Sequence, residues 1–100
     1  MAREIIWSEE AVADLEALAD YITRDSAVYA ASFVREILDA SNTLSKFPKR
    51  GRVVPELSDS NIRELFVRDY RLIYLVERSR IVILGLIHGS RNLNRPWKGK

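Results

Sequence analysis

With 100 residues, 47% hydrophobic and 30% charged, the chain suits one domain around one core and is too ordinary in composition for extended disorder. It has no cysteine, which excludes disulfides, thiolate chemistry and cysteine-based zinc sites, and its single histidine gives a protein-only transition-metal centre no support. The net charge of +2 conceals a polarity: residues 1–45 hold three bases against nine acids, a net of −6, and residues 46–100 hold thirteen bases against five acids, a net of +8.

Such an asymmetry points to an anionic partner for the second half. No apolar run approaches the roughly 18 residues of a membrane span, and Met1-Ala2-Arg3-Glu4 does not open a signal peptide. A cytoplasmic protein without membrane contacts is the expectation. No glycine-rich phosphate loop and no G-x-S-x-G elbow occur, so neither nucleotide hydrolysis nor that form of serine catalysis is indicated.

In chain order, Glu4-Ile5-Ile6-Trp7 reads as a short strand, and Ser8 stands where it can cap a helix whose first turn holds Glu9 and Glu10. Ala11, Leu15, Leu18 and Ile22, widened by Val12 and Ala19, form one apolar helical stripe that ends near Thr23-Arg24. Asp25 or Ser26 can cap a second helix. Its stripe is Ala30, Phe33, Val34, Ile37, Leu38, Ser41 and Leu44, and Pro48 stops it near Lys46-Phe47. A short joint makes the two helices a hairpin, and each needs a sheet to cover.

Residues 48–61 form one long connection with two prolines, a glycine and three bases. It reads as a surface loop with a short extended piece at Arg52-Val53-Val54. Three strand-length runs follow, Ile62–Val67, Tyr70–Val76 and Ile81–His88, separated by Arg68-Asp69 and by Glu77-Arg78-Ser79-Arg80. Breaks of hairpin length predict an antiparallel meander. After Arg91 the periodicity stops, and residues 93–100, including Trp97, are expected to form a flexible tail on a single domain of residues 1–100.

Polar residues planted in these apolar strands are the candidates for function: Arg63, Tyr70, Arg71, Tyr74, His88 and Arg91. Each also has a structural reading. His88 can bond a neighbouring backbone group, Arg71 can pair with Glu64 or Glu77, and Arg63 can sit in a partly buried ion pair. Tyr70 and Tyr74 can be packing residues with polar tips, and Glu56 can brace its own loop.

Three segments carry a resemblance: Phe47-Pro48 through Gly51-Arg52-Val53-Val54-Pro55-Glu56, Arg63-Glu64-Leu65 through Tyr70-Arg71-Leu72-Ile73-Tyr74, and Ile87-His88-Gly89-Ser90-Arg91-Asn92. Their order and spacing resemble the RelE/ParE superfamily, the toxins of type II toxin–antitoxin pairs often labelled plasmid-stabilisation proteins. The resemblance implies an α+β fold, with an N-terminal strand and a two-helix hairpin packed on an antiparallel sheet. It implies no cofactor and no metal. It also implies an acidic cognate antitoxin, expected near Leu15, Leu18 and Ile37 and able to assemble the toxin into an oligomer.

Two targets remain open from the resemblance. ParE-like members poison DNA gyrase, and the ending Ile87-His88-Gly89-Ser90-Arg91-Asn92-Leu93 is similar to that side; Arg63, Tyr70, Arg71, Tyr74 and Arg91 are then the target-binding candidates. RelE-like members cut messenger RNA on the ribosome. Under that alternative Glu56 and His88 would share acid and base work while Arg71 held the phosphate. Residues 53–97 contain no lysine, unlike the lysine-studded sheet of RelE. A non-catalytic RNA-binding module is a third reading, from Phe66, Tyr70, Tyr74 and Trp97 interleaved with bases.

Overall fold

A computed structural model describes residues 2–91; the expectations for the tail and for Trp97 lie outside the described residues. Seven elements follow in order: β1 (Glu4–Trp7), α1 (Glu9–Thr23), α2 (Ala27–Thr43), β2 (Arg52–Val53), β3 (Ile62–Val67), β4 (Tyr70–Val76) and β5 (Arg80–His88). Both helix starts are side-chain capped: Ser8 Oγ accepts the Ala11 N–H at 3.1 Å, and Ser26 Oγ accepts the Tyr29 N–H at 3.1 Å. Ser26, not Asp25, is therefore the second cap. Helix α2 ends at Thr43, short of Lys46, in a turn closed by the Phe47 N–H on the Thr43 carbonyl.

The sheet order is β1-β5-β4-β3-β2. The meander β3-β4-β5 is antiparallel and β2 extends it antiparallel to β3, as the short polar breaks require. Strand β1 departs from the all-antiparallel expectation: it joins the sheet itself, parallel to β5, so the sheet is mixed. One extra residue in β5 makes a bulge opposite Ile73 and Tyr74.

Alternation along β3 and β4 divides the sheet into two unlike faces. Leu72, Tyr74, Ile81, Ile83 and Leu86 meet Ala11, Phe33, Ile37 and Leu44 from the helices in the main core. On the other face Ile62, Ile73 and Leu75 meet Val54 in a smaller cluster, with Leu57 packed against it. The long connection is thus no simple surface loop, because Val54 is fully buried beneath it. Leu38, expected in the α2 stripe, is 41% exposed, since it lies one helical step round from buried Ile37. Asp14 of α1 accepts the Leu86 N–H at 3.0 Å, which ties the hairpin to β5 by a polar bond as well as by packing.

Candidate functional site

The face turned away from the helices carries a ladder of four charged side chains. Arg52, Glu64 and Arg71 come from β2, β3 and β4, and Glu56 reaches in from the connection. Glu64 Oε2 takes the Arg52 Nε–H at 2.6 Å, and Oε1 takes the Arg71 Nε–H at 2.5 Å. The terminal nitrogens of Arg71 fork onto both oxygens of Glu56, at 2.7 and 2.9 Å, and Nη1 also donates to the Arg91 carbonyl at 3.2 Å. The Glu64 side chain is 0% exposed and that of Arg71 is 5% exposed, so the centre of the ladder is dry. Hydrogen bonds to Glu56 and then Glu64 hold the Arg71 guanidinium charged above its already high ordinary range, against the pull of burial. Two cations and two anions cancel there.

This geometry corrects several expectations. Arg71 has all three nitrogens engaged within the protein, which leaves no fork for a phosphate. His88 lies across the sheet from it. In the register Arg71 faces Ile87 and Tyr70 faces His88, so pleating sends Arg71 and His88 to opposite sides. The His88 ring stacks edge-on to Tyr70, with centroids 5.4 Å apart. Its Nδ1 lies 2.7 Å from Ser90 Oγ and 3.2 Å from the Ser90 backbone nitrogen. Glu56, Arg71 and His88 therefore do not converge on one reacting atom.

The target-binding candidates divide in the same way. Tyr74 is fully buried, and its hydroxyl donates to the Pro48 carbonyl at 2.8 Å while accepting the Gly51 N–H at 2.9 Å. Burial pushes the Tyr74 phenol up, with the Gly51 N–H and nearby Arg63 and Arg50 opposing. Arg63 is half-buried and donates to the Gly51 carbonyl at 2.8 Å, so it braces the same turn. Tyr70 is half-buried against Phe33 and His88. Arg91 is exposed. Of the three residues expected to meet the antitoxin, Ile37 is fully buried in the core, while Leu15 and Leu18 are half-buried against it. Ile37 cannot meet a partner without unfolding the hairpin.

The reading from sequence gave Glu64 only a pairing role and missed Arg52. A signal was present: Arg63 and Glu64 are adjacent in a strand, so one of them must turn to each face. Among the described residues no group of three or more His, Asp or Glu side chains is placed to hold a metal ion, and no helix is long and apolar enough to cross a membrane.

Two helices on one side of a mixed five-stranded sheet, with a neutralised charge ladder on the other, define an α+β protein. The model of the ParE toxin of the type II toxin–antitoxin system, parDE, matches residues 5–93. Toxin RelE2 of Caulobacter vibrioides is 32% identical over 89 residues, covering 88% of this chain and 97% of that protein. A solved structure of the chromosomal ParDE TA system from P. aeruginosa superposes with a TM-score of 0.72 over 87% of this chain and 96% of that one; at 22% identity the likeness speaks for the fold. The chain belongs to the ParE toxin family of type II toxin–antitoxin systems. A toxin of this kind has a cognate antitoxin as its partner. The family model carries a ParE name and the similar protein a RelE name, so the names alone divide over the target.

Proposed function

We propose that this toxin arrests growth by binding DNA gyrase and does not itself cut RNA, and that its antitoxin neutralises it by covering the helical hairpin. The observation that carries the reading is the separation of the nuclease candidates. Metal-free RNA cleavage needs a base, an acid and a cation around one phosphate. Here the cation is clamped by Glu56 and Glu64, and the one imidazole is on the far side of the sheet. Arg91 and the exposed rim of His88 and Ser90 are what the end of β5 offers to a target.

For the antitoxin, the surface shifts from Ile37 to the side chains that the hairpin leaves uncovered. Val28 and Leu38 are 81% and 41% exposed, and Leu38 lines an open groove together with Ala19, Ala27, Ala31 and Val34. Leu15 and Leu18 contribute at most their outer edges. An amphipathic antitoxin helix laid there would bury these groups, the usual helix-in-groove mode.

Purified toxin incubated with gyrase and supercoiled plasmid is expected to trap double-strand breaks, and addition of antitoxin is expected to abolish them. Parallel incubation with programmed ribosomes is expected to leave messenger RNA whole. Codon-phased cuts with intact plasmid would reverse the assignment in favour of a ribosome-dependent nuclease.

A further inference from the structure

The charge of the basic half does not survive evenly on the folded surface. Ion pairs take up Arg52, Arg68, Arg71 and Arg80, and Arg63 is turned onto a backbone carbonyl. Among the described residues no ion pair neutralises Lys46, Lys49 or Arg50, which cluster in the turn between α2 and β2. Phe47 stands among them, 64% exposed. Phe47, Lys49 and Arg50 line one open hollow with Arg3, Thr43 and Pro48, and Lys46 is exposed in the same turn. Glu36 and Asp39 line an adjoining groove together with Arg50, and Glu36 is bound by Arg68.

This turn is held rigidly. The buried Tyr74 hydroxyl bonds Pro48 and Gly51 at once, and the Arg50 N–H closes on the Phe47 carbonyl. Arg50 Nη1 donates to Thr43 Oγ1 at 2.8 Å, which fixes that guanidinium beside the hollow. Gly51 lies so close to the β3 backbone that an added Cβ would sit 2.3 Å from the Glu64 carbonyl oxygen, so only glycine lets the turn lie flat on the sheet. A mount of this kind costs little ordering on binding.

We infer that the turn 46–50 is a docking surface for single-stranded nucleic acid, with Lys46, Lys49 and Arg50 on successive phosphates and Phe47 beneath one base. The chemistry favours this occupant over two others. An acidic polypeptide would satisfy the cations but leave the ring in water. A lipid surface calls for more inserted apolar area than one ring beside a half-buried proline. Cations interleaved with an exposed aromatic ring fit a strand that offers both phosphates and π-faces. The inference stands apart from the gyrase reading, since it concerns a different surface and a binding equilibrium without gyrase.

Fluorescence anisotropy of a labelled oligonucleotide of roughly 12 nucleotides, titrated with the full chain at several salt concentrations, tests it. Each phosphate contact contributes about −0.7 to the slope of log affinity against log salt for a single strand, so three contacts give a slope of about −2. Lys46→Gln, Lys49→Gln and Arg50→Gln are each expected to flatten the slope by about 0.7. Phe47→Leu should weaken binding about ten-fold or more with the slope unchanged. All four positions are exposed, and unchanged thermal melting checks that the variants fold. Slopes identical in all variants would overturn the assignment. So would preferential binding to phosphatidylserine vesicles, or to polyglutamate, at salt concentrations where the oligonucleotide stays free.

Discussion

The two faces of the sheet answer the same problem, burial, with opposite chemistry. Under the helices, Phe33, Ile37, Leu44, Leu72 and Ile83 exclude water by apolar area alone. On the other face Glu64 and Arg71 are nearly as buried as those residues yet form an ion pair, and every hydrogen-bonding group of theirs in the dry zone has a partner. Apolar burial stabilises directly, at roughly 25 cal/mol per Å². A buried ion pair mostly recovers its own desolvation cost and punishes the loss of either member. The helix face therefore supplies most of the stability, with a smaller share from the Val54, Ile62, Ile73 and Leu75 cluster, and the ladder helps to fix strand register: Glu64 accepts from β2 and β4 at once.

The largest effect separating the faces should come from Phe33→Ala, which opens a cavity in the main core. We expect a loss of about 3–5 kcal/mol by urea denaturation. Glu64→Ala should cost about 3 kcal/mol, because it strips Arg71 of one carboxylate in a dry site. The double variant Glu64→Leu/Arg71→Met sharpens the contrast. It removes both buried charges, and we expect it to lie within about 1 kcal/mol of the parent. A double variant as unstable as Glu64→Ala would mean that the ladder itself drives folding.

Tyr74→Phe deletes the bridge between Pro48 and Gly51 and is expected to cost about 1–3 kcal/mol. It also has a pH signature. Because the folded phenol is pushed up, ionisation favours the unfolded chain: the stability linked to Tyr74 is complete below the ordinary tyrosine pKa of about 10 and is lost as pH rises above it. Stability measured from pH 8 to 11 should fall less steeply in Tyr74→Phe than in the parent.

The smallest effect is expected at Arg68, a non-glycine residue with positive φ (54°) in the β3–β4 turn. Arg68→Gly relaxes that backbone but loses the exposed pair with Glu36 and the stacking 4.6 Å above Tyr29. The opposing effects are similar in size, so thermal melting should move by only a few degrees.

How much of this was legible from sequence follows from which features are local. Caps at Ser8 and Ser26, helical stripes and hairpin breaks are short-range signals, and they located every long element. The parallel partner of β1 is a pairing across more than seventy residues that no local pattern encodes. Leu38 was misread because a seven-residue apolar list covers more of the helix surface than the sheet does. The site was less legible. Tyr70–Val76 is apolar almost throughout, so periodicity could not say which face was covered twice, and the second cover comes from Val54 and Leu57 in an aperiodic connection. Without that cover Arg71 would keep Glu64 as its partner but stand open to solvent; with it, Arg71 is internal structure.

Under the proposed function this toxin binds its target and does not hydrolyse a phosphodiester with Glu56 and His88. The direct measurement is growth arrest after induction of a Glu56→Gln/His88→Gln double variant without antitoxin, with gyrase-linked DNA breaks scored in the same cells. We expect arrest and breaks close to those of the parent toxin. Normal growth from an equally abundant, folded double variant, together with codon-phased mRNA cuts made only by the parent, would contradict it.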